Sequence, residues 1–233
     1  MLNYKMETKT MEKIPVYFMP GLAASPMIFE RISLPSDQFE CFFLEWMLPL
    51  PKEALSDYAK RMADLIPHKN PVLIGVSFGG ILVQEMAKHI EVRKLIIISS
   101  VKSNQELPAH IKFAKATKAY KLIPTGLVHS LENLTKFSFG EMVNQRLKLY
   151  EKYLSVRDKN YLDWAIEQVI LWQQTEYDPT IIHIHGDEDE VFPVKNLKDF
   201  IPIKGGTHIM ILNRFKWFNK NLPEIILDSE QKA

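Results

Sequence analysis

Short apolar runs alternate with longer amphipathic segments along this chain. Runs such as Leu95-Ile96-Ile97-Ile98 are apolar at every position, which is typical of strands buried on both faces of a parallel sheet. Segments such as 52–66 instead repeat apolar residues every three or four positions, which indicates amphipathic helices. The pattern predicts strands at 16–19, 41–44, 71–75, 95–99, 181–185 and 200–203, and helices at 52–66, 78–90 and from 214 onward. We therefore predict an α/β fold, a mostly parallel sheet flanked by helices.

One long stretch breaks this alternation. Residues 103–178 contain no convincing strand, and helical patterns occur in them at 111–120, 142–153 and 161–172. The stretch is too long for a simple crossover between two core strands. It predicts an inserted helical cap over one end of the sheet, within a single domain whose core comprises 1–102 and 179–233.

The composition is that of an ordinary globular protein, with 46% hydrophobic and 24% charged residues. The formal net charge is +1, from 29 basic and 28 acidic residues, so nothing in the charge balance points to nucleic acid or an anionic membrane. Cys41 is the only cysteine, which excludes an internal disulfide. The first residues are polar and the longest apolar runs are strand-sized, so we expect a soluble cytoplasmic protein with no membrane span.

The strongest chemical signal is Gly75-Val76-Ser77-Phe78-Gly79, which has a predicted strand before it and a predicted helix after it. The spacing is weak evidence alone, and a simple packing turn is the competing interpretation. Between a strand and a helix, however, the two glycines permit a sharp turn that exposes the serine hydroxyl at the helix N-terminus. This context favours Ser77 as a nucleophile.

A serine nucleophile needs a base, and the base needs an acid that orients it. The segment His185-Gly186-Asp187-Glu188-Asp189 ends a predicted strand in an acidic loop. His208 follows in a glycine-containing loop, just before the closing helix. The order serine, acid, histidine along the chain is one of the known orders of catalytic triads. Asp187 and Asp189 are both candidates for the acid.

With these motifs, the chain from about Ile14 onward resembles the α/β-hydrolase family, specifically its small, capped, esterase-like members. The family pattern puts the acid three residues after the glycine of the His-Gly pair, which implies Asp189. Asp187 is the competitor, since an aspartate there often organises a turn. The few polar residues before Ile14 imply that the first strands of larger family members are missing.

The resemblance also implies an oxyanion hole built from two backbone N–H groups. One is that of Phe78, and the other is that of Leu22, with Ala23 as the alternative. Pro20 stands where many relatives have histidine. The implied reaction is hydrolysis of an ester of a small or medium apolar acyl group, without a cofactor. A thioesterase or acyltransferase would use the same residues, and a non-catalytic binding protein of this fold is a further alternative.

Three other features have two interpretations each. His183 and His185 could bind a metal, although packing of both rings is the favoured interpretation. Aromatic and sulfur-containing residues predict either a substrate pocket wall or core packing: Trp46, Met47, Trp164 and Trp172. A basic stripe is typical of a solvated helix face but could also receive an acidic carrier: Lys112, Lys115, Lys118 and Lys121.

Overall fold

A computed structural model describes residues 12–118 and 152–228. Within these ranges the strands are β1 (Ile14–Met19), β2 (Phe39–Phe43), β3 (Val72–Val76), β4 (Lys94–Ile98), β5 (Ile182–Gly186) and β6 (Ile201–Ile203). They form one sheet in the order β2-β1-β3-β4-β5-β6, and every neighbouring pair is parallel. Each predicted strand is present with small shifts at its ends, and the predicted fold class is confirmed.

The α-helices of the described ranges are α1 (Leu55–Ala63), α2 (Phe78–Met86), α3 (Ala109–Thr117), α4 (Lys159–Leu171), α5 (Met210–Asn213) and α6 (Phe215–Leu227). Helix α1 begins later than predicted because Lys52 has φ 61°, in the left-handed region that a right-handed helix cannot include. None of these helices is long and apolar enough to cross a membrane.

Apolar side chains cover both faces of the sheet, as the continuous apolar strands predict. Successive residues of a strand point to opposite faces, so Leu73 joins the core on one face while Val72 and Ile74 join the core on the other. Helices α1, α2 and α4 pack on the first face, and α5 and α6 pack on the second. The sheet is therefore a rigid, doubly covered platform for the loops at its ends.

The chain between β4 and β5 contains α3 and α4, which pack against each other. Almost all of the predicted helix at 142–153 lies outside the described residues, and the cap boundaries 103 and 178 stay a prediction. Because all strands are parallel, their carboxyl ends lie at one edge of the sheet, which is where ligands bind in open α/β sheets. The loops that follow β1, β3, β5 and β6 meet there.

Candidate active site

Ser77 occupies the sharp turn between β3 and α2. Its backbone has φ 53° and ψ −119°, a conformation that typically costs about 1–3 kcal/mol and persists only where the surroundings enforce it. A Cβ atom on Gly79 would lie 2.3 Å from the carbonyl oxygen of Pro20, so only glycine allows α2 to approach the loop after β1. The Ser77 N–H donates to Ile98 O at 2.9 Å, which ties the strained turn to β4.

The Ser77 hydroxyl is hydrogen-bonded to a histidine that approaches from the other end of the sequence. His208 lies in the loop between β6 and α5, and its Nε2 atom is 2.9 Å from Ser77 Oγ. Its Nδ1 atom is 2.9 Å from Asp189 Oδ2 and 3.2 Å from Oδ1. An ionised carboxylate only accepts hydrogen bonds, so Nδ1 carries the proton and Nε2 presents its lone pair to the serine hydroxyl.

Asp189 is held as an anion beneath this histidine. Its carboxylate is fully buried and accepts hydrogen bonds from the backbone N–H groups of Val191 at 2.8 Å and Phe192 at 3.0 Å. Burial by itself raises the pKa of the Asp189 carboxyl, but hydrogen bonding and the charge of His208, helped by the Phe192 N–H, outweigh burial and lower it. The group is therefore ionised at neutral pH.

Asp187 points away from the histidine. Its side chain is exposed and accepts a hydrogen bond from the Gly205 N–H at 2.6 Å, joining the loops that follow β5 and β6. The structure thus brings Asp189, and not Asp187, into contact with His208.

Two backbone N–H groups beside Ser77 are available to a ligand. Neither Leu22 N–H nor Phe78 N–H donates a hydrogen bond within the described residues, and both residues line the cavity that contains Ser77. The Ala23 N–H, the alternative donor, is already directed to the hydroxyl of Tyr161 at 3.3 Å. The geometry therefore favours the Leu22 N–H over the Ala23 N–H as the second donor of the expected oxyanion hole.

Ser77 and His208 open into an apolar cavity of about 580 Å³. Tyr153 and His208 are the only ionisable side chains among its described lining residues, and the Tyr153 hydroxyl is turned to Glu30, to which it donates at 2.6 Å. Two parts of the chain contribute to its apolar wall. The loop after β1 and helix α5 supply Ile28, Ile211 and Leu212, and the segment between β4 and β5 supplies Ile111, Leu154 and Val169. The cavity can therefore accept an uncharged, apolar group.

The residues predicted as a pocket wall do not line this cavity: Trp46, Met47, Trp164 and Trp172. They pack in or against the core on the α1, α2 and α4 face of the sheet. Each indole N–H is hydrogen-bonded there, from Trp46 to Gly21 O, from Trp164 to Glu53 O and from Trp172 to Glu85 Oε1. The pocket-wall interpretation of these residues is therefore corrected to core packing, because their contacts are with the core and not with the cavity.

His183 and His185 are buried side by side under the acid loop. The His185 Nε2 lies 2.9 Å from Phe192 O, which can only accept, so His185 is the donor there. Its Nδ1 then accepts from His183 Nε2 at 3.0 Å. Burial lowers the pKa of both rings, and their mutual repulsion lowers that of His183 further. Packing, the favoured interpretation of the pair, accounts for these contacts.

The buried histidines should make stability pH-dependent. Both folded-state pKa values lie below the unfolded value of about 6.5, so the unfolded chain binds more protons and stability falls as pH drops below about 6.5. Each such group contributes at most about 1.4 kcal/mol per pH unit. We expect His183→Gln, whose Nε2 can replace the donor to His185, to lose less stability between pH 7.5 and 5.5 in urea unfolding. His89→Gln, the same substitution at an exposed position, is the matched control. A pH dependence of His183→Gln equal to that of the parent would refute this explanation.

Three of the four lysines of the predicted basic stripe lie within the described residues. Lys112 donates to Gln105 O at 2.7 Å, Lys115 is half-buried, Lys118 is exposed, and Lys121 lies outside the described residues. The acidic carrier stays a prediction.

No protein-family model and no curated protein matches the chain. Solved structures do. An enol-lactonase from Burkholderia xenovorans superposes with a TM-score of 0.68 at 12% identity, covering 93% of this chain and 92% of that chain. An esterase from Thermogutta terrifontis superposes with a TM-score of 0.67 at 15% identity, and the match covers 91% of this chain and 89% of that chain. A bromoperoxidase from Bacillus anthracis superposes with a TM-score of 0.65 at 18% identity, and the match covers 93% of each chain. The fold is therefore that of the α/β-hydrolases.

Proposed function

We propose that this protein is a serine hydrolase that cleaves neutral carboxylic esters with a small or medium apolar acyl group. The observation that carries the proposal is the continuous hydrogen-bonded chain Ser77–His208–Asp189, with both contacts to the imidazole at 2.9 Å, beside an apolar cavity. A serine hydroxyl, an imidazole in the accepting tautomer and a buried carboxylate together meet the requirements of nucleophilic catalysis.

In the proposed reaction, Ser77 Oγ attacks the ester carbonyl carbon while His208 Nε2 takes the hydroxyl proton. The negative charge that develops on the carbonyl oxygen is stabilised by the N–H groups of Leu22 and Phe78, each worth about 3 kcal/mol in comparable sites. His208 then returns the proton to the departing alkoxide, which leaves an acyl group on Ser77. Water, deprotonated by His208, attacks this acyl-enzyme and releases the acid, and Ser77 recovers its proton.

The cavity supports a neutral acyl group. A charged substrate would lose its water shell against an apolar wall without gaining an ionic partner, which is costly. The volume of about 580 Å³ lies within the range of small-molecule sites and suits a small or medium substrate. We propose that the segment 103–178 acts as a cap that completes this wall, since Ile111, Leu154 and Val169 belong to it.

A matched pair of esters tests this substrate class. p-Nitrophenyl hexanoate and the mono-p-nitrophenyl ester of adipate have acyl chains of equal length, but the second ends in a carboxylate. We expect kcat/KM to be at least about tenfold higher for the hexanoate because burying the unpaired carboxylate is unfavourable. Equal values would contradict the neutral substrate class, and no turnover of any ester would contradict hydrolysis. Product analysis with added thiol or alcohol separates hydrolysis from acyl transfer.

A further inference from the structure

Trp46 lies behind the proposed oxyanion hole. It does not line the cavity, yet its indole Nε1–H donates to Gly21 O at 2.9 Å. The carbonyl of Gly21 and the N–H of Leu22 belong to the same peptide unit. Since a trans peptide is planar, its C=O and N–H point in opposite directions, and a bond that fixes one fixes the other.

The peptide between Gly21 and Leu22 is held from its carbonyl side by two donors. Besides the indole, the N–H of Ala24 donates to Gly21 O at 3.0 Å and closes a four-residue turn. A carbonyl oxygen has two lone pairs, and both are occupied here by protein donors. The plane of the peptide is thereby set, and the N–H on its opposite side belongs to Leu22, which lines the cavity. Hydrogen bonds to the carbonyl also polarise the peptide, which strengthens its N–H as a donor.

The same indole supports the second oxyanion donor. The rings of Trp46 and Phe78 stack with centroids 4.9 Å apart and an interplanar angle of 6°. Phe78 is the first residue of α2, and its N–H is the other proposed donor. One side chain therefore contacts both parts of the proposed oxyanion hole, by a hydrogen bond to the Gly21 carbonyl and by stacking on the side chain of Phe78.

We propose that Trp46 is a positioning residue that aligns the Leu22 and Phe78 N–H groups for the transition state, an inference that rests on the proposed function. Because Trp46 acts on donors whose bonds strengthen as the oxyanion forms, its loss should reduce kcat and leave KM nearly unchanged. Removing a complete oxyanion donor typically costs about 10²–10³ in kcat, so a misaligned donor should cost less.

The test replaces Trp46 by phenylalanine and uses Trp164→Phe as the matched control. Trp164 also contacts the Phe78 ring, at 6.0 Å between centroids, but its indole donates to Glu53 O, away from the loop after β1. We expect Trp46→Phe to lower kcat for p-nitrophenyl butyrate about tenfold or more, with KM within about twofold. Affinity for butylboronic acid, whose tetrahedral adduct with serine imitates the intermediate, should fall in parallel. The control should change each of these by less than about twofold.

Benzothienylalanine at position 46 separates loss of the hydrogen bond from loss of packing, because this analogue keeps the ring shape of tryptophan and lacks only the N–H donor. It should reproduce the loss in kcat. The inference is overturned if this variant retains the parent kcat, or if Trp164→Phe loses as much as Trp46→Phe. An active parent inactivated by Ser77→Ala but insensitive at Trp46 would contradict this inference alone, whereas a parent without esterase activity would contradict the proposed function.

Discussion

Replacing Ser77 by alanine is expected to reduce kcat for p-nitrophenyl butyrate by about 10⁴-fold or more, because the alanine side chain has no hydroxyl to form the proposed acyl-enzyme. The cavity wall is unaffected by loss of one oxygen atom, so KM should stay within a few-fold of the parent value. Steady-state kinetics at a pH near 8, with parent and variant at the same protein concentration, measures kcat and KM.

Ser99→Ala provides the control for this experiment. Like Ser77, Ser99 follows a central strand and has a positive φ, of 47°. Unlike Ser77 it is fully buried, and its hydroxyl has no hydrogen-bond partner among the described residues. Its loss should leave kcat nearly unchanged. Activity of Ser77→Ala within about tenfold of the parent would show that the nucleophile is elsewhere.

Asp189→Asn should lower kcat by about 10⁴-fold, the typical loss when an amide replaces the carboxylate of such a triad. The amide can donate to the imidazole and so favours the tautomer whose Nε2 carries the proton, which prevents His208 from accepting the proton of Ser77. The pKa of the Asp189 carboxyl is lowered, so the parent holds the required anion throughout the neutral range. Kinetics with the same ester, alongside an unfolding curve, measures the effect.

Asp187→Asn is the matched control, with the same substitution two residues away. An asparagine oxygen can still accept the hydrogen bond from the Gly205 N–H, so kcat should stay within a few-fold of the parent. Equal losses in the two variants would contradict the assignment of the acid to Asp189.

Local spacing in the sequence predicted much of the fold and the site geometry. Ser77 was recognisable because a strand, a tight turn and a helix are encoded by neighbouring residues. The loops that carry the acid and His208 were recognisable because the carboxyl ends of parallel strands lie at one edge, so loops distant in sequence meet there. The choice of Asp189 over Asp187 rested on the resemblance to the α/β-hydrolase family. The structure brings the side chains of Ser77, Asp189 and His208 together.

The cavity wall could not be predicted in the same way, since it depends on contacts between distant segments. Ile28 and Leu212 reach it from the loop after β1 and from α5, a short helix that the apolar pattern did not predict. Whether the tryptophans line a pocket or pack in the core depends on contacts of the same kind. The partner of the Trp164 indole, Glu53 O, is 111 positions away, and no local pattern reveals such a pairing. The supporting contact of Trp46 with Gly21 O was likewise visible only in three dimensions.

Labelling with a fluorophosphonate tests the central claim most directly, because this probe reacts with a serine hydroxyl only where a neighbouring base activates it. The folded protein should form one covalent adduct, and peptide mass spectrometry should place it on Ser77. His208→Ala, and the parent protein unfolded in urea, should not react. Failure of the folded parent to react at Ser77, or equal labelling of the unfolded chain, would contradict the account.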